Sequence, residues 1–393
     1  MTGRKWKHLI AALLACCLAL PPFAARAAEE GTAVTIGTGV REKPTAEVTV
    51  RWDDGWFAGD PAVYRPRLAE TAMALSGAAY VGTARGISVQ AALEDLGFDQ
   101  IQSYNYQFTE DSASRTAYTF AVRTVKDKDG APVPLAAVVI RGTGVYTEWA
   151  GNLNVGTGSE HQGFAQAADE LLENLKAYLP AAGVTGKAKF LITGHSRGGA
   201  AANLTAARLP ETGLAERGDV FAYTFAAPAV STQAETEGYE NIFNIVSGCD
   251  LVPQVPLAQW GYGRYGVDVV LPAPEEDGER FAAMSKQYEA LTGRPYAALR
   301  DPGTVETLTD TLARLAPTVT GPNMAMLSAL LQGDMEGLSA LVQGNPLAAL
   351  LMARTAVRAS SELTPLIQQE AGGLAAAHCM AGYYSWLSAY PEA

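Results

Sequence analysis

Apolar residues in this chain fall into two periods that take turns along its length. Largely apolar runs at residues 135–140, 188–193, 220–225 and 242–246 predict strands buried on both faces, as in a parallel sheet. Between them the period lengthens. Over residues 162–178, Phe164, Ala168, Leu171, Leu172, Leu175 and Leu179 share one face, which predicts an amphipathic helix. Residues 63–80 place Leu68, Ala72, Leu75 and Ala79 at helical spacing, and residues 89–96 read as a shorter helix stopped by Gly97. Residues 101–108 and 117–125 read as strands, the second leaving through the polar turn at 126–130. Tyr104, Tyr106 and Phe108 alternate along the first of these as the aromatic face of a sheet. Upstream, residues 29–60 are rich in Gly and Thr, with one candidate edge strand at 47–52. Strands alternating with helices make the fold class α/β, a mostly parallel central sheet with helices on both faces.

The run at 188–193 leads straight into Gly194, His195, Ser196, Arg197 and Gly198, followed by the small residues 199–202. This is the G-x-S-x-G pattern in the context it requires, an apolar strand before it and a small-residue helix after it. A serine at the apex of so tight a strand-to-helix turn needs neighbours without a Cβ, because the two backbones pass close together. The same geometry aims a helix N-terminus at Ser196, where N–H groups can stabilise negative charge on a reacting carbonyl oxygen.

The other groups such a serine needs are found by position and elimination. The strand at 135–140 ends in Arg141, Gly142, Thr143 and Gly144. In a parallel sheet this loop lies beside the nucleophile, so Thr143 and the N–H of Arg197 are the candidate oxyanion hole. Residues 146–153, with Tyr146 and Trp149, follow where an active-site cover would lie. Of four histidines, His8 lies in the leader, His195 is bonded to Ser196 on the elbow, and His161 precedes the serine. In the chain order serine, acid, histidine, His378 is left as the base. Asp250 follows the strand at 242–246 at the sheet edge that holds Ser196, so it is the candidate acid, with Asp268 as the fallback; Asp219 precedes its strand and falls at the opposite edge.

Composition narrows the setting. The 393 residues are 48% hydrophobic, enough for one α/β domain carrying an insertion. The start has a secretory layout: Arg4, Lys5 and Lys7, an apolar run over 9–20, and a small-x-small site at 25–27. Residues 1–27 are therefore expected to be a signal peptide and residues 28–393 a single domain. Removing four basic residues and no acidic ones leaves 25 against 41, which moves the net charge from −12 to −16. Such acidity disfavours nucleic acid and anionic membrane surfaces. The apolar run is too short to span a bilayer, so no transmembrane segment is expected in the mature chain. A lipoprotein-like box ending at Cys16 offers the alternative of a lipid anchor at the cell surface.

Residues 272–369 form the expected helical insertion: an acidic, Pro-containing connector, then Ala-, Leu- and Met-rich segments. Its apolar clusters, around Met324 to Leu331 and Leu338 to Met352, fit either a self-packed subdomain or a cap with an acyl-chain groove. Cys249 and Cys379 stand next to Asp250 and His378. They are either a bridge between two site loops or two small buried residues, the second being favoured because nothing fixes their Cβ directions.

RGTGVYTEWAGNL, HQGF, FLITGHSRGGAAANL, TFAAPAV, NIFNIVSGCDLVPQVP and the late His378 together resemble the class 3 lipase family of α/β-hydrolases, in that family's order, over about residues 135–256. The resemblance implies an α/β-hydrolase fold with a triad of Ser196, Asp250 and His378, an oxyanion hole of Thr143 and Arg197, and a lid containing Tyr146 and Trp149. Position 197 is more usually Leu in that family. The implied activity is a secreted carboxylic-ester hydrolase, first an acylglycerol lipase working through an acyl-enzyme, with no metal or organic cofactor. Phospholipase A1 and short-chain esterase are the alternatives among enzymes, and a catalytically idle lipid-binding surface protein is the alternative outside them. The partner is a lipid or small ester, at a lipid-water interface for a lipase.

Overall fold

The computed structural model describes residues 31–83, 86–107, 115–143, 158–315 and 346–389, with residues 346–360 described by their backbone. All the elements below lie in the unit from Thr32 onward. Strands β1 (Thr32–Gly37) and β2 (Thr45–Val50) pair antiparallel as a small separate sheet. Helix α1 (Pro66–Ala78) follows, with a proline in its first turn, where the missing N–H costs nothing. A minimal hairpin, β3 (Gly82–Thr83) and β4 (Gly86–Ile87), leads into α2 (Ser88–Asp95).

The main sheet is built from β5 (Asp99–Tyr104), β6 (Tyr118–Lys126), β7 (Pro132–Ile140), β8 (Lys189–His195), β9 (Val220–Phe225), β10 (Ile242–Ser247) and β11 (Val267–Leu271). Its order is β11-β10-β9-β8-β7-β6-β5. From β7 to β11 every pairing is parallel, while β5 and β6 join antiparallel. This is the mostly parallel, helix-flanked sheet that the apolar runs predict, and the α/β-hydrolase architecture. Helix α3 (Gln162–Ala181) connects β7 to β8, and α4 (Arg197–Arg208) connects β8 to β9.

Alternation along the strands feeds two cores. Phe190, Ile192, Ala136, Val138 and Ala222 face Leu171, Leu175, Ala201 and Ala202 of α3 and α4. Leu191, Ala137, Val139, Phe221 and Tyr223 face α1, α2 and two later helices, α5 (Gly278–Thr292) and α8 (Met380–Ser388). Both faces are covered, so the central strands have no polar side to show. Among the described residues between α5 and α8 are two further helices, α6 (Thr304–Leu315) and α7 (Pro346–His378).

Besides the minimal β3–β4 hairpin, two strands escape the sequence reading. β11 is an edge strand with alternating exposure, Val270 being 63% exposed, so its apolar run is short and interrupted. β1 lies in the Gly- and Thr-rich segment where only its partner was expected. The expected lid at 146–153, the residue Phe108 and the apolar cluster at 324–331 lie outside the described residues.

Candidate active site

Ser196 sits between β8 and α4 with φ 58° and ψ −128°, a backbone region that non-glycine residues occupy only when the surroundings enforce it. The enforcement is visible on both sides. Its N–H donates to the Phe225 carbonyl at 2.8 Å, tying the turn to β9. A Cβ at position 194 would strike the Gly198 carbonyl, and one at 198 would lie 2.7 Å from the Arg141 carbonyl carbon. Glycine at these two places is what lets the elbow close against the end of β7.

That contact also brings the loop after β7 to the serine. A Cβ on Gly142 would come within 2.5 Å of the His195 carbonyl oxygen, so Gly142, next to Thr143, is pressed onto the elbow. The first-turn N–H groups of α4 aim toward Ser196, as do those of any helix toward its own start. The Arg197 side chain is buried, and its Nε donates to Thr116 Oγ1 at 3.1 Å.

His378 ends α7, 182 residues beyond the serine, with its Nε2 3.0 Å from Ser196 Oγ. Its Nδ1 lies 2.9 Å from Asp250 Oδ2. A carboxylate only accepts, so Nδ1 carries the proton and Nε2 is left to accept from the serine hydroxyl. Asp250 follows β10 and is fully buried. Its charge is met by three donors: His378, the Val252 N–H on Oδ1 at 2.9 Å, and the Tyr383 hydroxyl on Oδ2 at 2.9 Å. Burial, and then the negative Asp250, push the Tyr383 phenol well above the ordinary tyrosine range, so it remains a donor. Tyr383 Oη in turn accepts from the Ser247 N–H at 3.2 Å, locking the phenol to β10.

The remaining candidates lie elsewhere. Asp268 is on the outer strand β11 in an ion pair with Arg264 at 2.5 Å. Asp219 pairs with Lys187 and Lys189. His161 caps α3 and stacks on Phe164 with ring centroids 3.8 Å apart. Cys249 and Cys379 are both free thiols. Among the described residues no cluster of His, Cys, Asp and Glu is arranged to hold a metal ion, and no helix is long and apolar enough to cross a membrane. Sequence reasoning missed Tyr383, although it lies five residues past the histidine in a Tyr-Tyr pair. It also missed the contacts that His195 makes with Tyr80 and His378. Tyr80 Oη is 3.1 Å from His195 Nδ1, while His195 Nε2 is 2.9 Å from the His378 carbonyl oxygen.

A strained serine on a strand-to-helix turn, facing a histidine bound to a buried aspartate, is the arrangement of a serine-hydrolase type of site. Residues 137–260 match the family described as lipase (class 3). A curated relative, the secreted mono- and diacylglycerol lipase 1 of Fusarium solani, is 31% identical over 140 residues. That alignment takes in 32% of this chain and 40% of the relative's length. Solved structures similar to the chain include a lipase of Yarrowia lipolytica, at 18% identity, TM-score 0.37, 53% of this chain and 79% of that one. A lipase from Rhizopus microsporus var. chinensis matches at 18% identity and TM-score 0.37, over 61% and 83% of the two chains.

Proposed function

We propose that the protein hydrolyses carboxylic esters, acylglycerols first among them, through an acyl-enzyme on Ser196. The observation that carries this reading is the single ring of His378 within hydrogen-bond reach of both Ser196 Oγ and Asp250 Oδ2. His378 Nε2 takes the hydroxyl proton as Oγ attacks the ester carbonyl carbon, and Asp250 stabilises the imidazolium that forms. The oxyanion accepts from the N–H groups of Arg197 and Thr143. Collapse expels the alcohol, which receives the proton from His378, and water attacks the acyl-serine by the same route in reverse.

The acylglycerol preference is supported by the name of the Fusarium relative. With it go secretion after removal of residues 1–27, a domain over 28–393 with 272–369 as an insertion, and a lid over Ser196 containing Tyr146 and Trp149. Action at a lipid-water interface follows from such a lid.

A fluorophosphonate probe and a panel of p-nitrophenyl esters, acylglycerols and phospholipids test the proposal. Wild-type protein is expected to take the label on Ser196 and Ser196→Ala to take none. His378→Ala should lower kcat by about four orders of magnitude or more, and the double variant should be little worse than either single one. Equal labelling of wild type and Ser196→Ala, or a His378→Ala protein of near-normal rate, overturns it.

A further inference from the structure

His378 is the last residue of α7, and the chain breaks at Cys379 (φ −70°, ψ 155°) before α8 begins. A carbonyl at such a break loses its helical donors. Here the N–H three residues on, Ala381, donates to Thr38, and the one four residues on, Gly382, donates to Cys379 Sγ at 3.4 Å. The carbonyl of the base is met instead by the side chain next to the nucleophile: His195 Nε2, 2.9 Å away.

The tautomer of His195 follows from its neighbours. A carbonyl can only accept, so Nε2 carries the hydrogen, and Nδ1 is the acceptor for the Tyr80 hydroxyl at 3.1 Å. That hydroxyl is also 3.3 Å from the His195 carbonyl, and it fills the space where a Cβ at position 142 would stand. One phenol thus touches the loop that leads to Thr143, the elbow and, through one imidazole, the main chain of the base. His195 is buried, with its ring centroid 5.0 Å from that of His378.

We propose that His195, braced by Tyr80, is a positioning residue for His378, holding the main chain of the base so that its Nε2 stays on Ser196; this rests on the reading of His378 as general base. A neutral donor suits the place. Burial, and then the neighbouring His378, push the His195 imidazole down to about 3, so it adds no positive charge beside a ring that must itself become cationic during catalysis. Arginine or lysine could make the same hydrogen bond but would oppose that step.

The test compares His195→Gln, whose amide nitrogen reaches the position of Nε2, with His195→Asn, whose amide reaches only the position of Nδ1. The full chain is assayed for thermal melting, fluorophosphonate labelling, and kcat and KM on a soluble p-nitrophenyl ester. His195→Asn should lose about 10- to 100-fold in kcat with KM within about twofold, the loss expected of a base displaced by up to 1 Å. His195→Gln should recover most of that loss. A folded His195→Asn with the wild-type kcat, or equal losses in both variants, overturns the proposal. Should His195→Asn fail to fold, Tyr80→Phe decides: a kcat about three- to tenfold lower supports the brace, and an unchanged one ends it. Wild-type protein that takes no label on Ser196 refutes the general-base reading itself and, with it, the brace, a failure recognisable before any variant is made.

Discussion

Tyr383→Phe removes one oxygen from the buried side of the site and leaves the ring in place. Two interactions go with it: the 2.9 Å bond to Asp250 Oδ2 and the 3.2 Å bond from the Ser247 N–H. A hydrogen bond to an ionised group contributes about 1.5–3 kcal/mol, and a buried N–H left without a partner costs about 1–3 kcal/mol. Asp250 keeps His378 and Val252 as donors, so its charge is not abandoned. The expected destabilisation is about 3 kcal/mol, with about 6 kcal/mol as the upper bound. Urea unfolding at neutral pH measures it, and a double-mutant cycle with Asp250→Asn separates the bond to the carboxylate from the bond to Ser247. If the phenol also fixes the carboxylate under the His378 ring, kcat on a soluble ester should fall about tenfold, equivalent to about 1.4 kcal/mol of barrier. A loss below about 0.5 kcal/mol, the size of an ordinary surface substitution, would refute the reasoning.

His195 links stability to pH with a defined sign. The folded imidazole is held down at about 3 against roughly 6.5 when unfolded, so between those values the unfolded chain binds a proton that the native state excludes. Stability contributed by neutral burial is complete above the unfolded pKa. It falls as pH drops toward 3, by up to about 1.4 kcal/mol per pH unit, and His195→Gln should flatten that part of the profile in chemical denaturation from pH 7 to pH 4. At the elbow, Gly198→Ala would press a methyl group onto the carbonyl of Ile140 and onto Arg141. The expected cost is about 1–3 kcal/mol with a loss of ester turnover, and a thermal melt equal to wild type would contradict the close approach. Cys249 and Cys379 should each react with a thiol reagent in denatured, unreduced protein, since both are free; peptide mapping that finds them bridged would contradict this.

The legible part of the molecule is the part written in local pattern. β8 to β10 and α3 could be read because a strand covered on both faces must be apolar throughout and a half-buried helix must repeat at 3.6. The elbow could be read because Gly194, Ser196 and Gly198 stand close in sequence. His378 and Asp250 were singled out only through chain order and strand ends. The supporting groups had no such signal: Tyr80 and His195 are 115 residues apart, Asp250 and Tyr383 133, and each side chain looks like an ordinary core residue until the partner arrives. β11 was missed because its five-residue run is interrupted by Asp268 and its edge position leaves Asp268 and Val270 exposed.

The docking of α8 has a consequence for how the protein is made. Its Ala381 N–H bonds to Thr38, its Tyr384 hydroxyl bonds to Thr49 and Glu70, and its Tyr383 reaches Asp250. The residue proposed as base and the tyrosine behind the acid therefore leave the ribosome after every strand of the main sheet. They then find partners laid down more than a hundred residues earlier. Because closing a longer loop adds only about 0.6 kcal/mol per doubling of its length, the 128 residues between Asp250 and His378 impose little thermodynamic burden on that meeting. They do impose an order in time. A nascent chain holding Ser196, Thr143 and Asp250 still lacks the residue proposed as its base, so on that proposal ester hydrolysis should switch on only once synthesis has passed α8.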